Sequence, residues 1–123
     1  MANVTTPVRV ASTGKVDVTV ATAGTAVPLM ASDSPLIAHR FTPDILIYNS
    51  SLNSNIYIGE SDVDSTWIPI APGGFKHLKH GTGSLLGDDA QYSFDLSKIY
   101  IDADSNGSTA IVEFLKVLKF NSL

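Results

Sequence analysis

Apolar and polar residues alternate along several short stretches of the chain. Residues 15–21 place three valines on one side and polar residues on the other, which is the pattern of a half-buried strand. Residues 45–48 and 56–59 are two further apolar runs, and they flank a polar segment made of asparagine, serine and one leucine. This arrangement predicts a β-hairpin between residues 44 and 64 at the centre of the fold.

Two other stretches are predicted to be extended. Residues 36–41 alternate between two faces and predict a strand, and residues 109–120 are the longest apolar stretch, which predicts a strand covered on both sides. Turn-forming residues recur about every 8–12 residues, and no stretch has a convincing helical period. The sequence therefore predicts an all-β fold of about eight to ten short strands, arranged as an antiparallel β-sandwich, a jelly-roll-like domain or a β-barrel.

The length of 123 residues fits one domain with its own core. Residues 1–14 contain small and β-forming residues around Pro7 and end in a turn-like Ser-Thr-Gly, so we interpret them as an extended N-terminal arm. A partly ordered terminus is the other reading of the same residues. Residues 15–123 are predicted to form a single β-sandwich domain.

Charge limits the classes of partner. The net charge is −4, and no lysine or arginine is followed directly by another, so direct binding to nucleic acid or to an anionic membrane is not expected. No apolar run approaches the roughly 20 residues of a membrane-spanning helix. Only 16% of residues are charged, which leaves a large uncharged surface and favours contacts with copies of the same chain or with another protein.

One segment matches the spacing of a calcium-binding loop. Asp102, Asp104 and Asn106 alternate before Gly107, and Glu113 follows at the position of the last ligand. The segment lies between two β-runs rather than two helices, which favours a turn in which Asp, Asn and Gly form local hydrogen bonds and a positive φ. We therefore predict no metal and no cofactor.

The other chemical signals are weak. His39 lies alone in an apolar stretch, and the spacing of His77 and His80 would bring them together only on a helix. Neither a Gly-x-Ser-x-Gly elbow nor a glycine-rich phosphate loop that opens a helix is present. No catalytic residue is predicted, and the chain is not expected to be an enzyme.

The sequence offers candidates for protein contact. Trp67 begins a proline-stiffened segment, residues 67–74, in which the prolines exclude a central strand. A large aromatic residue on a stiff segment loses little entropy on binding and makes an efficient anchor, although the same loop could equally cover the end of its own core. The candidate interface residues are Val8, Val10, Trp67, Ile68, Pro69, Ile70 and Phe75.

Five short β-type segments follow one another along the chain, at residues 18–20, 23–29, 56–63, 68–73 and 99–103. Taken in this order, they resemble segments of small virion proteins of tailed bacteriophages, among them capsid decoration (cement) proteins and related minor structural proteins. The resemblance covers residues 15–115. It implies a non-enzymatic β-domain that oligomerises, often as a trimer, and binds the outside of the capsid at junctions between major capsid proteins.

The expected function is therefore that of a capsid decoration protein, made in the host cytoplasm and located on the exterior of the virion. A homotrimer would bind the major capsid protein through many modest contacts repeated by symmetry. Two other classes remain open. One is a tail, fibre or baseplate adhesin that binds host glycans through Trp67, Tyr92 and the Asp/Asn turns; the other is a small cupin-like enzyme whose histidines would have to converge on a metal.

Overall fold

The computed structural model describes the backbone of residues 7–79 and 93–121 and the side chains of residues 12–79 and 93–116. The described chain is built of β-strands and one short 3-10 helix, Ile37–His39. No helix in it is long and apolar enough to cross a membrane. The strands are β1 (Pro7–Val20), β2 (Val27–Pro28), β3 (Phe41–Thr42), β4 (Asp44–Asn49), β5 (Ile56–Gly59), β6 (Pro69–Ile70), β7 (Phe75–Lys79), β8 (Phe94–Asp95), β9 (Tyr100–Ala103) and β10 (Ser108–Asn121).

The strands pair as one long hairpin folded over on itself. The first strand pairs with the last, the second with the second-last, and so on inward to β5 and β6, and every pair is antiparallel. Two further antiparallel pairings, β10 with β4 and β5 with β9, join neighbouring sections of the folded hairpin into sheets.

The described strands form two four-stranded sheets. Sheet A has the order β1-β10-β4-β7, and sheet B has the order β2-β9-β5-β6; β3 and β8 form a separate two-stranded sheet. Both large sheets have edge strands, so the fold is an open sandwich rather than a closed barrel. Nested pairing of this kind is the arrangement of a jelly roll. The predicted all-β antiparallel sandwich is confirmed.

The core lies between sheets A and B. Alternate residues of each strand face it, as the period of two in the sequence requires. The four central residues Ile45, Ile47, Ile56 and Ile101 are fully excluded from solvent. The rest of the buried cluster is Val18, Val20, Leu29, Met30, Leu96, Ala103, Ala110, Val112 and Phe114.

The predicted hairpin between residues 44 and 64 is wrong. Strand β4 belongs to sheet A and β5 to sheet B, so residues 50–55 cross from one sheet to the other. The pattern of apolar residues is the same for a hairpin within one sheet and for a crossing between two sheets. In either arrangement Ile47 and Ile56 face the same core.

Two further predictions of strands need correction. Residues 36–41 are not one strand: Ile37–His39 form a 3-10 turn whose backbone amides bond to carbonyls three residues earlier, and only Phe41 and Thr42 are extended. Strand β10 is not buried on both sides, because Val112 is buried while Ile111 is half-buried and Glu113 exposed. The outer face of sheet A is therefore partly open to solvent.

Strand β1 runs without a break through residue 14. Residues 7–14 of the predicted arm pair with β10 in the same ladder as residues 15–20. Residues 1–6, the rest of the predicted arm, lie outside the described part of the chain.

Candidate functional site

The outer face of sheet A presents an apolar groove. Tyr48 lies opposite Phe75 on one side and opposite Ile111 on the other, so the three residues form one row across β7, β4 and β10. The groove has a volume of about 320 Å³ and is also lined by Leu46 and Glu113. Tyr48 is 40% exposed and Phe75 is 66% exposed, which is unusual for phenylalanine, a residue that is most often buried.

A second groove adjoins the first at Phe75. It has a volume of about 290 Å³ and is lined by residues 68–71, Gly74, Phe75 and Lys76. Ile68 is 83% exposed at its rim, whereas Ile70 is buried and belongs to the core side of β6. The structure thus brings four predicted interface residues, Ile68, Pro69, Ile70 and Phe75, to one place.

We name five exposed or half-exposed aromatic and large aliphatic residues of these two grooves the Phe75 surface. It lies where β6 and β7, the edge strands of the two sheets, are joined by the short link 71–74. Gly73 has a φ of 79° in that link, a value that favours glycine and permits the tight reversal. The Phe75 surface consists of Leu46, Tyr48, Ile68, Phe75 and Ile111.

Charged residues frame the Phe75 surface. Lys15 and Asp17 form an ion pair at 3.1 Å on β1. At the other end of the strand order, His77 of β7 bonds to Asp44 of β4. Both pairs are at least partly exposed, so each contributes little to stability. Their arrangement gives a polar rim around an apolar centre, which is the usual anatomy of a protein–protein contact surface.

Trp67 packs against its own domain. Its indole ring lies over Gly59 of β5, so closely that an added Cβ at Gly59 would lie 2.6 Å from Cζ3 of the ring. The side chain is nevertheless 40% exposed. Trp67 therefore covers sheet B and still presents one edge to solvent, beside Ile68.

Replacing Gly59 with alanine should displace the indole of Trp67. The new methyl group would overlap three ring atoms, and the ring can move outward because it is already partly exposed. Trp67 is the only tryptophan, so its fluorescence should shift to longer wavelength without interference. Ser61→Ala, a change at an exposed neighbouring residue, should leave the emission unchanged. An unshifted emission in Gly59→Ala would contradict the packing.

The candidate calcium ligands are engaged by protein groups. Asp102 is buried, and its Oδ1 accepts hydrogen bonds from the backbone N–H of Gly24 at 2.9 Å and of Ala103 at 2.8 Å. Oδ1 of Asn106 accepts from the N–H of Ala23 at 2.8 Å. These bonds tie the 102–107 turn to the β1–β2 link. Gly107 has the positive φ, 79°, expected of the turn.

Asp104 and Glu113 take no part in the hydrogen bonds between the 102–107 turn and the β1–β2 link. Oδ1 of Asp104 accepts a hydrogen bond from the hydroxyl of Tyr57 at 2.8 Å, and Glu113 lies on β10 opposite Lys15, exposed on the outer face of sheet A. Within residues 7–79 and 93–121, no group of three or more histidine, aspartate and glutamate side chains could hold a metal ion. His39 is in the 3-10 turn, His77 is on β7, and His80 is outside the described residues.

The Tyr57–Asp104 bond predicts a dependence of stability on alkaline pH. The hydrogen bond to the Asp104 carboxylate, together with burial, raises the pKa of Tyr57 above its ordinary value of 10.0. A pKa raised by folding adds stability below about pH 10, and this stability is lost as pH rises through the folded-state pKa. Tyr57→Phe should therefore cost about 1–2 kcal/mol near neutral pH and progressively less above about pH 10.

Urea unfolding of both proteins at several pH values measures this difference. Tyr48→Phe removes a partly exposed hydroxyl and is the matched control. A stability difference between Tyr57→Phe and the parent protein that stayed constant across the alkaline range would show that the phenol–carboxylate bond is not responsible.

Two predicted interface residues, Val8 and Val10, lie on β1, where their backbones pair with Phe120 and Leu118. Their side chains lie outside the described set. The sequence analysis missed Leu46, Tyr48 and Ile111 as surface residues, although the apolar outer positions of β4 and β10 indicated that this face needs a cover.

A separate groove of about 300 Å³ lies at the end of the sandwich where β4–β5 and β9–β10 connect. It is lined by residues 50–54 and 105–109, mostly serine, asparagine and threonine. Many of these groups already bond to one another, as Ser50 Oγ does to Thr109 Oγ1 at 2.8 Å. Trp67 is not among its lining residues.

Comparison with models of known protein families gives no match for this chain, and comparison with curated protein sequences gives none.

Proposed function

We propose that the protein is a non-enzymatic virion structural protein that binds the outer surface of a capsid as an oligomer and stabilises the lattice of the major capsid protein. The observation that supports the proposal most is the Phe75 surface, where exposed aromatic and aliphatic side chains lie together on the edge of a rigid sandwich. The resemblance of the sequence to phage decoration proteins supplies the identity of the partner.

The Phe75 surface suits this role physically. Four of its residues project from paired strands and Ile68 directly precedes β6, so docking would order little new backbone and lose little entropy. Burial of the exposed Phe75 ring and the Ile68 side chain would contribute about 1.5–3 kcal/mol each. Such contacts, repeated by each subunit of an oligomer, would give strong binding without any single strong site.

Replacing Phe75 with aspartate should abolish binding to undecorated heads. The change places a charge at the centre of the proposed contact, where desolvation is costly, and Phe75 is 66% exposed, so the fold should persist. Co-sedimentation of the purified protein with heads that lack it measures binding, and we expect at least about a tenfold loss of affinity.

Leu52→Asp is the matched control. Leu52 is 88% exposed in the β4–β5 link, away from the Phe75 surface, and its replacement should leave co-sedimentation unchanged. Equal binding by the Phe75→Asp variant and the parent protein would show that the Phe75 surface is not the contact. Failure of the parent protein to bind heads would show that the capsid is not the partner.

The polar groove at residues 50–54 and 105–109 favours one alternative function, that of a tail, fibre or baseplate adhesin for host glycans. Hydroxyl and amide groups are suited to hydrogen bonding with sugars, although the predicted aromatic partners differ: Trp67 does not line the groove, and Tyr92 lies outside the described residues. Glycan-array binding that is lost in Asn53→Ala, together with absence from purified heads, would favour this function.

A further inference from the structure

Strands β1 and β10 continue beyond the sandwich as a two-stranded ribbon. Strand β10 pairs with β4 only as far as Phe114, whereas its pairing with β1 continues to Asn121. Residues 7–13 and 115–121 thus form seven backbone pairs, a length of about 20 Å. Among the described residues, no third strand joins this ribbon.

A ribbon of two strands is marginally stable alone in water. Its two faces also differ in sequence, because residues in one ladder alternate between faces. The rows Val8–Phe120 and Val10–Leu118 have the same parity as the core row Val16–Val112, and the row Arg9–Lys119 has the opposite parity. By register, the outer rows of the ribbon alternate between apolar pairs and the cationic pair Arg9–Lys119, and Lys116 has the parity of the Val10–Leu118 row.

The charge of the ribbon is opposite to that of the rest of the chain. Its cations are Arg9, Lys116 and Lys119, and it contains no Asp or Glu, so its formal charge is +3. With 8 Lys and Arg and 12 Asp and Glu in the whole chain, the remaining residues contain 5 cations and 12 anions, a formal charge of −7. A second copy of the same chain is thus an electrostatically complementary partner.

The best acceptor on the body is the link between β5 and β6. Glu60, Asp62 and Asp64 are exposed there, and none of the described cations forms an ion pair with them. Buried Val63 anchors the link, and its N–H donates to the carbonyl of Glu60 at 2.9 Å. Hydrogen bonds from the Thr66 hydroxyl and amide lower the pKa of Asp64. We name residues 60–64 the acidic loop.

The ribbon and the acidic loop lie at opposite edges of the sandwich. Strand β1 is the first strand of sheet A, while β6, which follows the loop, is the last strand of sheet B. The short link 71–74 keeps β6 beside β7, the strand farthest from β1 in sheet A. A contact between two different patches on opposite edges is head-to-tail, and such a contact gives a ring when the rotation between copies closes and an open filament when it does not.

We propose that the ribbon of one copy docks on the acidic loop of the next copy and that successive contacts close a ring. This contact brings the ribbon, which contains Arg9 and Lys119, against the acidic loop, which contains Asp62 and Asp64. Trp67 lies beside that loop, because its backbone N–H donates to the carbonyl of Asp64 at 3.1 Å. This inference rests on the oligomer of the proposed function and is independent of whether that oligomer binds a capsid.

Native mass and sedimentation equilibrium of charge-reversed variants test the contact. Arg9→Glu with Lys119→Glu, and separately Asp62→Lys with Asp64→Lys, should each raise the dissociation constant of the oligomer by about 100-fold or more, because like charges then face one another. The chain with all four changes should recover its assembly, since the charges again complement each other. High salt should weaken the parent oligomer.

Lys79→Glu with Lys98→Glu changes the charge by the same amount outside the ribbon and should leave the mass unchanged. Circular dichroism and urea unfolding confirm that each variant is folded. A monomeric parent protein, ribbon variants that remain fully assembled, or a fourfold variant that stays dissociated would each overturn the ring.

Co-sedimentation with heads separates this inference from the proposed function. Ribbon variants that keep the parent mass but lose head binding would assign the ribbon to the capsid, which would overturn the ring and leave the decoration role in place. Loss of head binding in Phe75→Asp without a change in mass would leave the ring intact.

Discussion

Replacing Asn49 with alanine is expected to destabilise the protein by about 3–5 kcal/mol. Asn49 is fully buried at the end of β4, and its amide nitrogen donates to the carbonyls of Ser54 and Ile70, each at 2.8 Å. Its Oδ1 accepts from the N–H of Ser51 at 2.9 Å. Alanine would leave these three backbone groups without their partner where water has little access.

The size of the effect follows from what Asn49 connects. The Ser54 carbonyl belongs to the crossing between the two sheets, and the Ile70 carbonyl belongs to β6 in sheet B, while Asn49 itself belongs to sheet A. A loss of this size is a large fraction of the total stability of a small domain, about 5–15 kcal/mol. Urea unfolding followed by circular dichroism should show a much lower midpoint.

Asn53→Ala provides the control for Asn49→Ala. Asn53 is exposed in the same crossing segment, so its replacement should change stability by no more than about 0.5 kcal/mol. If both variants unfolded at the same urea concentration, the buried amide would not be the connection between the sheets that the structure indicates.

Replacing Gly14 with valine is expected to cost about 2–3 kcal/mol. Gly14 is buried on β1 directly opposite Phe114 of β10, and a Cβ at this position would lie 2.6 Å from Cζ of the Phe114 ring. Phe114 is 2% exposed and belongs to the core cluster, so a displacement of its ring would disturb buried neighbours. Valine has a high strand propensity, so a loss of stability would come from the overlap and not from the backbone.

A double-mutant cycle tests the origin of the Gly14→Val effect. Phe114→Leu shortens the opposing side chain, and in its background the cost of Gly14→Val should fall by at least about 1 kcal/mol. Thr13→Val is the control, because Thr13 is an exposed neighbour on the same strand and tolerates the same side chain. Additive costs in the cycle would show that the Phe114 ring does not limit the space at Gly14.

The local alternation of the sequence predicted the core-facing side of β1. Val18 and Val20, which were predicted to lie on one face of that strand, are buried, and Gly107 has the positive φ that the Asp/Asn/Gly turn required. These features depend on neighbours within a few residues, where side-chain period and backbone preference act directly.

The candidate contact surface was predicted only in part. Ile68, Pro69 and Phe75 could be identified from a stiff, apolar segment, but their junction with Tyr48 and Ile111 depends on the register of three strands distant in sequence. The acidic loop and the cationic ribbon are visible as charges in the sequence, yet their positions at opposite edges follow from the order of strands in the two sheets.

The sequence by itself determined the all-β class, the inward face of β1 and the turn at Gly107, because a period of two and the backbone preferences of Gly, Asn and Asp act over a few residues. Only the tertiary structure decided which strands became neighbours. A crossing of six residues, 50–55, can either reverse within one sheet or pass to the other, and both routes bury the same apolar side chains. In the structure the chain passes to the other sheet, and the buried hydrogen bonds of Asn49 join β4 to the crossing segment and to β6.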